Sequence, residues 1–582
     1  MKKTRLLLPL AAAALIAGTL ISRAKSTELD HAHNLLIFND IYKELYTNYV
    51  DTLDAEKTMR TAIDALLGQI DPYTEYYPKS EQDDLLSISS GEYAGVGSVI
   101  TLRDSTIIMY QPSWDSPARK AGVRHGDVLL AIDGDTLPPT YTTPQASARL
   151  KGQPGTQVRL TLKRPHVHGT DSVFDVTVTR GNIKIDPVPY SGMINDTIGV
   201  IQIATFSEKT GPAVRKALAQ LSQNPRFGAL IIDLRDNGGG ILDGAVQVAA
   251  NFVPKGTAIV TVKGRDERSA RIHKTTTEPQ YPNLPIAVLT NGQTASASEI
   301  LAGALQDLDR AVIVGQRSFG KGLVQNIRPV AYSGLIKVTT GRYYTPSGRL
   351  VQAIDYSHRD EDGYAIRIPD SLTNVYLTRA GREVRDGGGI TPDVTVELEK
   401  GNPLVYTAVR DYWIYDFATR TANNTDVTPD PITWQVTDTM MADFKASIDP
   451  DRFKYDFGSK DALKYVREVA ELSGYLTDGV KAQIDSLQQS LQQDLTRDLE
   501  INSDKLRECL DSELTSRWFS PADIYRRSIE GDRDFAEAIL ILSDPRRYGV
   551  LLSPARPDGK ADKTGNADGK SKPAKSDGKK DK

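Results

Sequence analysis

Apolar positions along this chain recur first at helical spacing, then at strand spacing, then in short solid runs divided by glycine turns, and finally at helical spacing again. Before the first pattern, an apolar run over residues 6–21 follows Lys2, Lys3 and Arg5. It is shorter than the roughly 20 residues that span a bilayer, and Ser22-Arg23-Ala24 offers a small-x-small cleavage site. Residues 1–27 therefore read as a secretory signal or, if uncleaved, an N-terminal anchor. Either reading exports the rest, to the periplasm or the outer face of the inner membrane, with membrane contact only through this segment. No cysteine lies directly after the run, which excludes a lipoprotein anchor for want of a thiol to acylate. Over residues 28–85, Phe38, Ile41, Tyr42, Leu45 and Tyr49, then Met59, Ile63, Leu66 and Ile70, repeat at helical spacing. Two such helices cannot bury their own stripes, so they are expected to pack on something larger or on a partner chain.

From residue 86 the pattern shortens into strands that continue to residue 182. Gly95-Val96-Gly97 precedes Ser98-Val99-Ile100, and Gly126-Asp127-Val128-Leu129-Leu130-Ala131-Ile132-Asp133-Gly134 follows a short Ser-Pro-Ala turn. These stretches resemble a PDZ domain of the bacterial, circularly permuted kind. A glycine-flanked turn such as Gly95, Val96 and Gly97 leaves backbone N–H groups for a terminal carboxylate, while the next strand offers its edge to an extended peptide. The plainer reading is a tight turn before a strand.

Residues 183–398 alternate strands and helices. Strands are predicted at 198–203, 229–234 and 285–289, and helices at 210–221, 242–252 and 296–308. Such repeats gather their loops at one sheet edge, where sites form. Gly238-Gly239-Gly240 closes one loop. No Gly-Lys-Ser/Thr follows it, so backbone N–H groups aimed at an oxyanion are a better use than phosphate binding. Another loop enters Ser296-Ala297-Ser298-Glu299. This fits a helix capping box, and it also puts the Ser296 hydroxyl and the Ala297 N–H at the positive end of a helix. Ser298 competes with Ser296 as a nucleophile. Lys321 stands between Gly320 and Gly322, with Gln325 four positions on. It is either a solvated loop lysine or a base, and a base must be neutral at working pH, which requires burial. On an extended segment Gln325 shares its face and can hold it.

Composition narrows the chemistry. The 582 residues exceed one core, and 71 basic against 75 acidic residues give a net charge of -4, no argument for nucleic acid. One cysteine, Cys509, excludes an internal disulfide and a Cys-rich metal site. The sequence holds neither a G-x-S-x-G elbow nor an H-E-x-x-H zinc motif.

The Ser-Ala-Ser-Glu helix start, Phe-Gly-Lys-Gly and the glutamine after it, with Asp233-Leu234-Arg235-Asp236-Asn237-Gly238-Gly239-Gly240, Tyr344-Thr345-Pro346-Ser347-Gly348-Arg349 and Gly389-Ile390-Thr391-Pro392-Asp393, resemble the carboxy-terminal processing peptidases, or tail-specific proteases. The resemblance runs from about residue 30 to 398. It implies an α/β multidomain fold, with a peptidase core of the crotonase-like kind carrying the PDZ domain between helical N- and C-terminal extensions. It also implies a serine endopeptidase with Ser296 as nucleophile, Lys321 as general base, Gln325 as its orienting partner and Gly239 or Gly240 with Ala297 as oxyanion donors. Substrates would be proteins with a free, often apolar C-terminus. No metal or organic cofactor is implied.

Beyond the resemblance, residues 399–555 read as mostly helical, with Val480, Ile484, Leu487, Leu491, Leu495 and Leu499 on one long helix and Leu506, Leu510 and Leu514 continuing the style. That stripe packs on its own domain or offers a homodimer or adaptor surface. Residues 556–582 are Lys, Asp, Gly and Ser and are expected to be disordered. Two other functions stay open on this fold. One is a non-catalytic PDZ scaffold, and the other a protein that holds an apolar ligand.

Overall fold

The computed structural model describes residues 30–166, 170–266, 268, 270–360, 363–425 and 428–554. The expected leader and the lysine-rich tail lie outside the described residues. Among the described residues no helix is long and apolar enough to cross a membrane.

The chain divides into two compact units. The smaller comprises the N-terminal region through Lys79 together with Gln325–Thr339. It holds a helix over residues 30–48, the helix Ala55–Gly68 and the strand Glu75–Tyr77, whose residues pair antiparallel with Lys337, Ile336 and Leu335. Asp54 starts the second helix by accepting the Lys57 N–H. The stripe predicted from the sequence forms, and Phe38, Ile41, Leu45 and Tyr49 remain exposed in this chain.

In the larger unit the first domain is an antiparallel sheet. Its strands run Ser98–Arg103, Thr106–Pro112, Asp127–Ile132, Gln157–Arg164 and Ser172–Thr179 in spatial order, with the helix Thr143–Leu150 beside it. Met109, Ile132, Leu160 and Leu162 alternate into its core, as period-2 patterning requires. The Ser98–Arg103 strand stands at the end of this order.

The second domain is a six-stranded sheet in the order Tyr190–Met193, Ile198–Gln202, Ala229–Asp233, Ile286–Thr290, Val312–Gly315 and Val394–Thr395, parallel after the first pair. Its strands are apolar on both faces because both are covered. Ile201, Leu230, Ile232, Ile286 and Val288 meet the helices Thr210–Leu221, Leu242–Ala249 and Ala297–Asp307. On the other face Val200, Ile231, Ala287, Leu289 and Val314 meet Tyr525, Phe535, Ala538 and Ile541 from the helices Pro521–Ile529 and Arg533–Ser543 near the C-terminus.

The remaining C-terminal helices form their own core around Leu404, Ile414, Phe444, Leu506, Leu510 and Leu514. The long helix predicted over 480–499 is two helices, Asp478–Ser490 and Leu495–Ile501. Asp494 caps the second by accepting the Arg497 N–H, which restarts the ladder where periodicity alone saw continuity. Leu499 is buried, whereas Leu487 and Leu491 stay exposed. These helices also grip the first domain. Arg103 makes a bidentate pair with Asp416 at 2.6 and 2.7 Å, and Tyr415 stacks on Tyr110 and donates to its carbonyl.

Candidate active site

Ser296 sits between the Ile286–Thr290 strand and the Ala297–Asp307 helix in a conformation that L-residues avoid, with φ 57° and ψ −116°. Such a backbone costs of order 1–3 kcal/mol and persists only where its surroundings over-determine it. They do so here. The Ser296 N–H donates to Glu299 Oε2 at 2.9 Å, and its carbonyl accepts from the Ile300 N–H at 3.0 Å and the Tyr343 hydroxyl at 3.2 Å. The side chain is left half-buried. Ser298 is fully buried and donates to the Asn237 carbonyl at 2.9 Å, so its hydroxyl is committed to structure.

Glu299 does more than complete a capping box. It is completely buried, and Oε2 accepts from both the Ser296 N–H and the Lys321 N–H, at 2.9 and 2.8 Å. Oε1 accepts from the Gly320 N–H at 2.7 Å and the Ser318 hydroxyl at 2.5 Å, and Ser318 Oγ in turn accepts from the Ile390 N–H. One carboxylate oxygen thus ties the backbone of the serine to the backbone of the lysine, 25 positions apart in sequence. The local sequence showed only the reach back to Ser296, since Gly320 and Lys321 arrive by tertiary folding. The Lys321 side chain is half-buried. Gln325, in the smaller unit, donates from Nε2 to Thr339 Oγ1 at 3.1 Å.

The glycine loop packs against the same turn. A Cβ on Gly239, which has φ 103°, would lie 2.7 Å from Ser296 Cβ and 2.9 Å from the Ala297 nitrogen. On Gly240, at φ 141°, it would lie 2.0 Å from the Phe206 carbonyl oxygen. Only glycine allows either approach. Asn237 organises the loop, with its amide donating to the Ile203 carbonyl and its Oδ1 accepting the Gly239 N–H at 2.8 Å. Gly240 forms a parallel bridge with Phe206 through the Gly239 carbonyl and the Ile241 N–H, which turns the Gly240 N–H to the other side.

In the first domain, Gly95 ends the short strand Glu92–Gly95, where it pairs with Gly181, and Val96 and Gly97 make the short turn that follows, with Val96 O accepting from Ala118 N–H and Gly97 O from Ser113 N–H. Val96 is buried, and Gly97 has φ 76° with Ser116 and Ile183 filling the space of a Cβ. The turn leads into the Ser98–Arg103 edge strand, where Val99 and Leu102 are exposed.

Comparison with known proteins bears on this arrangement. Residues 197–360 match Peptidase family S41, residues 110–164 a PDZ domain, and residues 404–542 the C-terminal helical domain of a probable PDZ-protease. The carboxy-terminal-processing protease of Bartonella bacilliformis is 35% identical over 346 residues, 58% of this chain and 78% of that protein. The chain belongs to this family. It is a serine peptidase with a PDZ domain. A probable CtpA-like serine protease of Staphylococcus haemolyticus is 32% identical over 53% of this chain and 60% of its own length. Among solved structures, a photosystem II D1 C-terminal processing protease is 26% identical, covering 62% of this chain and 92% of its own with a TM-score of 0.34.

In this peptidase the buried carboxyl carries a pH signature. Burial pushes the Glu299 pKa up to about 7 against the pull of its four donors, whereas the group ordinarily titrates at 4.5. The folded state therefore holds the proton more tightly than the unfolded chain. Between those two values the group's contribution to stability falls as pH rises, by about 3 kcal/mol in all, and is constant above. Glu299→Gln removes the titration at constant size. The difference in unfolding free energy between wild type and variant is expected to change by that amount between pH 4.5 and 7. Denaturant unfolding across a pH series checks this, and parallel wild-type and variant curves would contradict it.

Proposed function

We propose that this chain is an exported serine endopeptidase that takes the free C-terminus of a protein into its PDZ domain and cleaves with a Ser296–Lys321 dyad. The observation that carries the reading is the shared oxygen of Glu299, which accepts from the backbone of both residues beside a serine held in a strained, half-buried turn. Ser296 Oγ attacks the peptide carbonyl and passes its proton to the neutral Lys321 amine. The resulting ammonium returns a proton to the leaving amine. Water, with Lys321 again as base, then releases the acyl group. Gly240 and Ala297 N–H groups stabilise the oxyanion, and Gly239 acts by its close approach, its own N–H being held by Asn237.

The edge of the Ser98–Arg103 strand, reached from Gly95 through Val96 and Gly97, supports tail binding by strand addition. Val99 and Leu102 favour an apolar tail. The exposed stripe of Phe38, Ile41, Leu45 and Tyr49 supports a second copy or adaptor at the N-terminal arm. Export to the periplasm or the outer face of the inner membrane rests on the leader-like residues 1–27. Degradation of one folded reporter bearing either an apolar or a charged C-terminus tests the tail reading. The apolar tail is expected to be processed at least roughly tenfold faster. Equal rates would remove the PDZ domain from substrate selection.

A further inference from the structure

The loop that carries Gly239 and Gly240 leaves its strand at Asp233, and its Arg235 side chain is enclosed by acidic groups from that strand end and from the C-terminal region. Arg235 pairs bidentately with Asp233 at 3.0 and 2.9 Å, and its Nη1 donates to Asp532 at 2.7 Å and to Asp534 at 3.0 Å. Its guanidinium lies over the Phe535 ring. The Tyr525 hydroxyl donates to Asp233 Oδ2 at 2.7 Å, and Gln316 donates to the other oxygen of Asp534. Tyr525, Asp532, Asp534 and Phe535 all belong to the C-terminal helices, about 300 residues after the loop.

From Arg235 to Ser296 the loop is tied by a series of hydrogen bonds. The Asp236 N–H donates to the Asn291 side chain, whose amide returns a hydrogen bond to Asp236. The Asn237 carbonyl accepts from the Ala295 N–H and the Ser298 hydroxyl. Gly239 then closes on Ser296. A cleft of about 650 Å³ lies where the C-terminal helices meet this edge of the sheet, lined by Gln202, Asp233, Arg235, Asn291, Tyr525 and Asp532 among others. At this seam the attachment is therefore polar, with Arg235 as its centre, while dry packing lies deeper, at Phe535 and Ile541. The Arg235 side chain keeps only 16% of its exposure, so loss of its partners costs more than an exposed pair contributes, and the Arg235 end of the loop depends on them.

We propose that the C-terminal helices are a working part of the active site: Tyr525, Asp532 and Asp534 are positioning residues that hold the Arg235 end of the loop and, through it, set the Gly240 N–H against Ser296. The inference rests on reading Gly240 and Ala297 as the oxyanion donors. It assigns to the C-terminal region a role in the chemical step, separate from tail binding at the edge strand.

The test is the full chain with Asp532 and Asp534 both changed to Asn. Asn keeps the cap that Asp532 provides to the Asp534 and Phe535 N–H groups, so the helix is retained while the charge is lost. The expected result is a kcat lower by roughly 10- to 100-fold, since a loop displaced by a fraction of an ångström misplaces the oxyanion donor. Labelling of Ser296 by a fluorophosphonate should slow by the same factor, while KM and the affinity for an apolar-tailed peptide stay within about twofold. A cooperatively folded double variant with unchanged kcat and labelling would overturn the proposal. If that variant does not fold, Tyr525→Phe removes one hydroxyl only, and is expected to lower kcat and labelling by roughly fivefold at unchanged KM. No change in Tyr525→Phe would equally overturn it. Turnover that survives Ser296→Ala would overturn the proposal together with the site reading beneath it.

Discussion

Ser296→Ala is expected to lower turnover of a tailed substrate by at least about four orders of magnitude, because residues acting as one catalytic unit fail together when one is removed. Lys321→Ala is expected to match it, and the double variant to be no worse than either single one. Affinity for the tail should not change, since the Ser98–Arg103 edge strand belongs to another domain. Initial rates on a reporter protein and anisotropy of a labelled tail peptide read the two quantities separately. The strain at Ser296 adds an independent check. Ala retains the unfavourable φ of 57° and Gly relieves it, so Ser296→Gly is expected to be more stable than Ser296→Ala by about 1 kcal/mol, with both inactive.

The second large effect is expected at the glycine loop. Gly240→Ala places a methyl 2.0 Å from the Phe206 carbonyl oxygen, backbone that has no rotamer to escape into. The loop must move, and the Gly240 N–H moves with it. Loss of one oxyanion donor costs about 10²- to 10³-fold in kcat, and that is the expected loss here. Gly239→Ala presses instead on Ser296 Cβ and the Ala297 nitrogen and is expected to be as damaging by displacing the nucleophile. Neither change reaches the PDZ domain, so tail affinity should hold in both. Rates within tenfold of wild type would show that the loop does not contact the reacting carbonyl.

The sequence exposed the local half of this site and concealed the tertiary half. Ser-Ala-Ser-Glu announced a helix start, and Phe-Gly-Lys-Gly announced a lysine with space around it. That Glu299 also receives Ser318, Gly320 and Lys321 depends on chain segments about 20 residues away folding onto it, which no capping rule contains. Ser298 competes on spacing alone, and spacing does not show that it is buried with its hydroxyl on the Asn237 carbonyl. The solid apolar strand Ala229–Asp233 requires cover on both faces, yet nothing in residues 399–555 beyond a mostly helical reading marks residues 533–543 as that cover. Arg235 was legible only as part of a family motif. Its partners at Asp532 and Asp534 lie nearly 300 positions on, and charge patterning does not operate at that range. The break at Asp494 shows the opposite failure, since a continuous apolar period masked a local cap.

The most direct test of the Ser296–Lys321 dyad is to map the covalent adduct that forms when the full chain reacts with a fluorophosphonate. A single adduct is expected on the peptide bearing Ser296, absent in Ser296→Ala and slowed by orders of magnitude in Lys321→Ala. An adduct on Ser298 or any other serine, or labelling of Lys321→Ala at the wild-type rate, would contradict it.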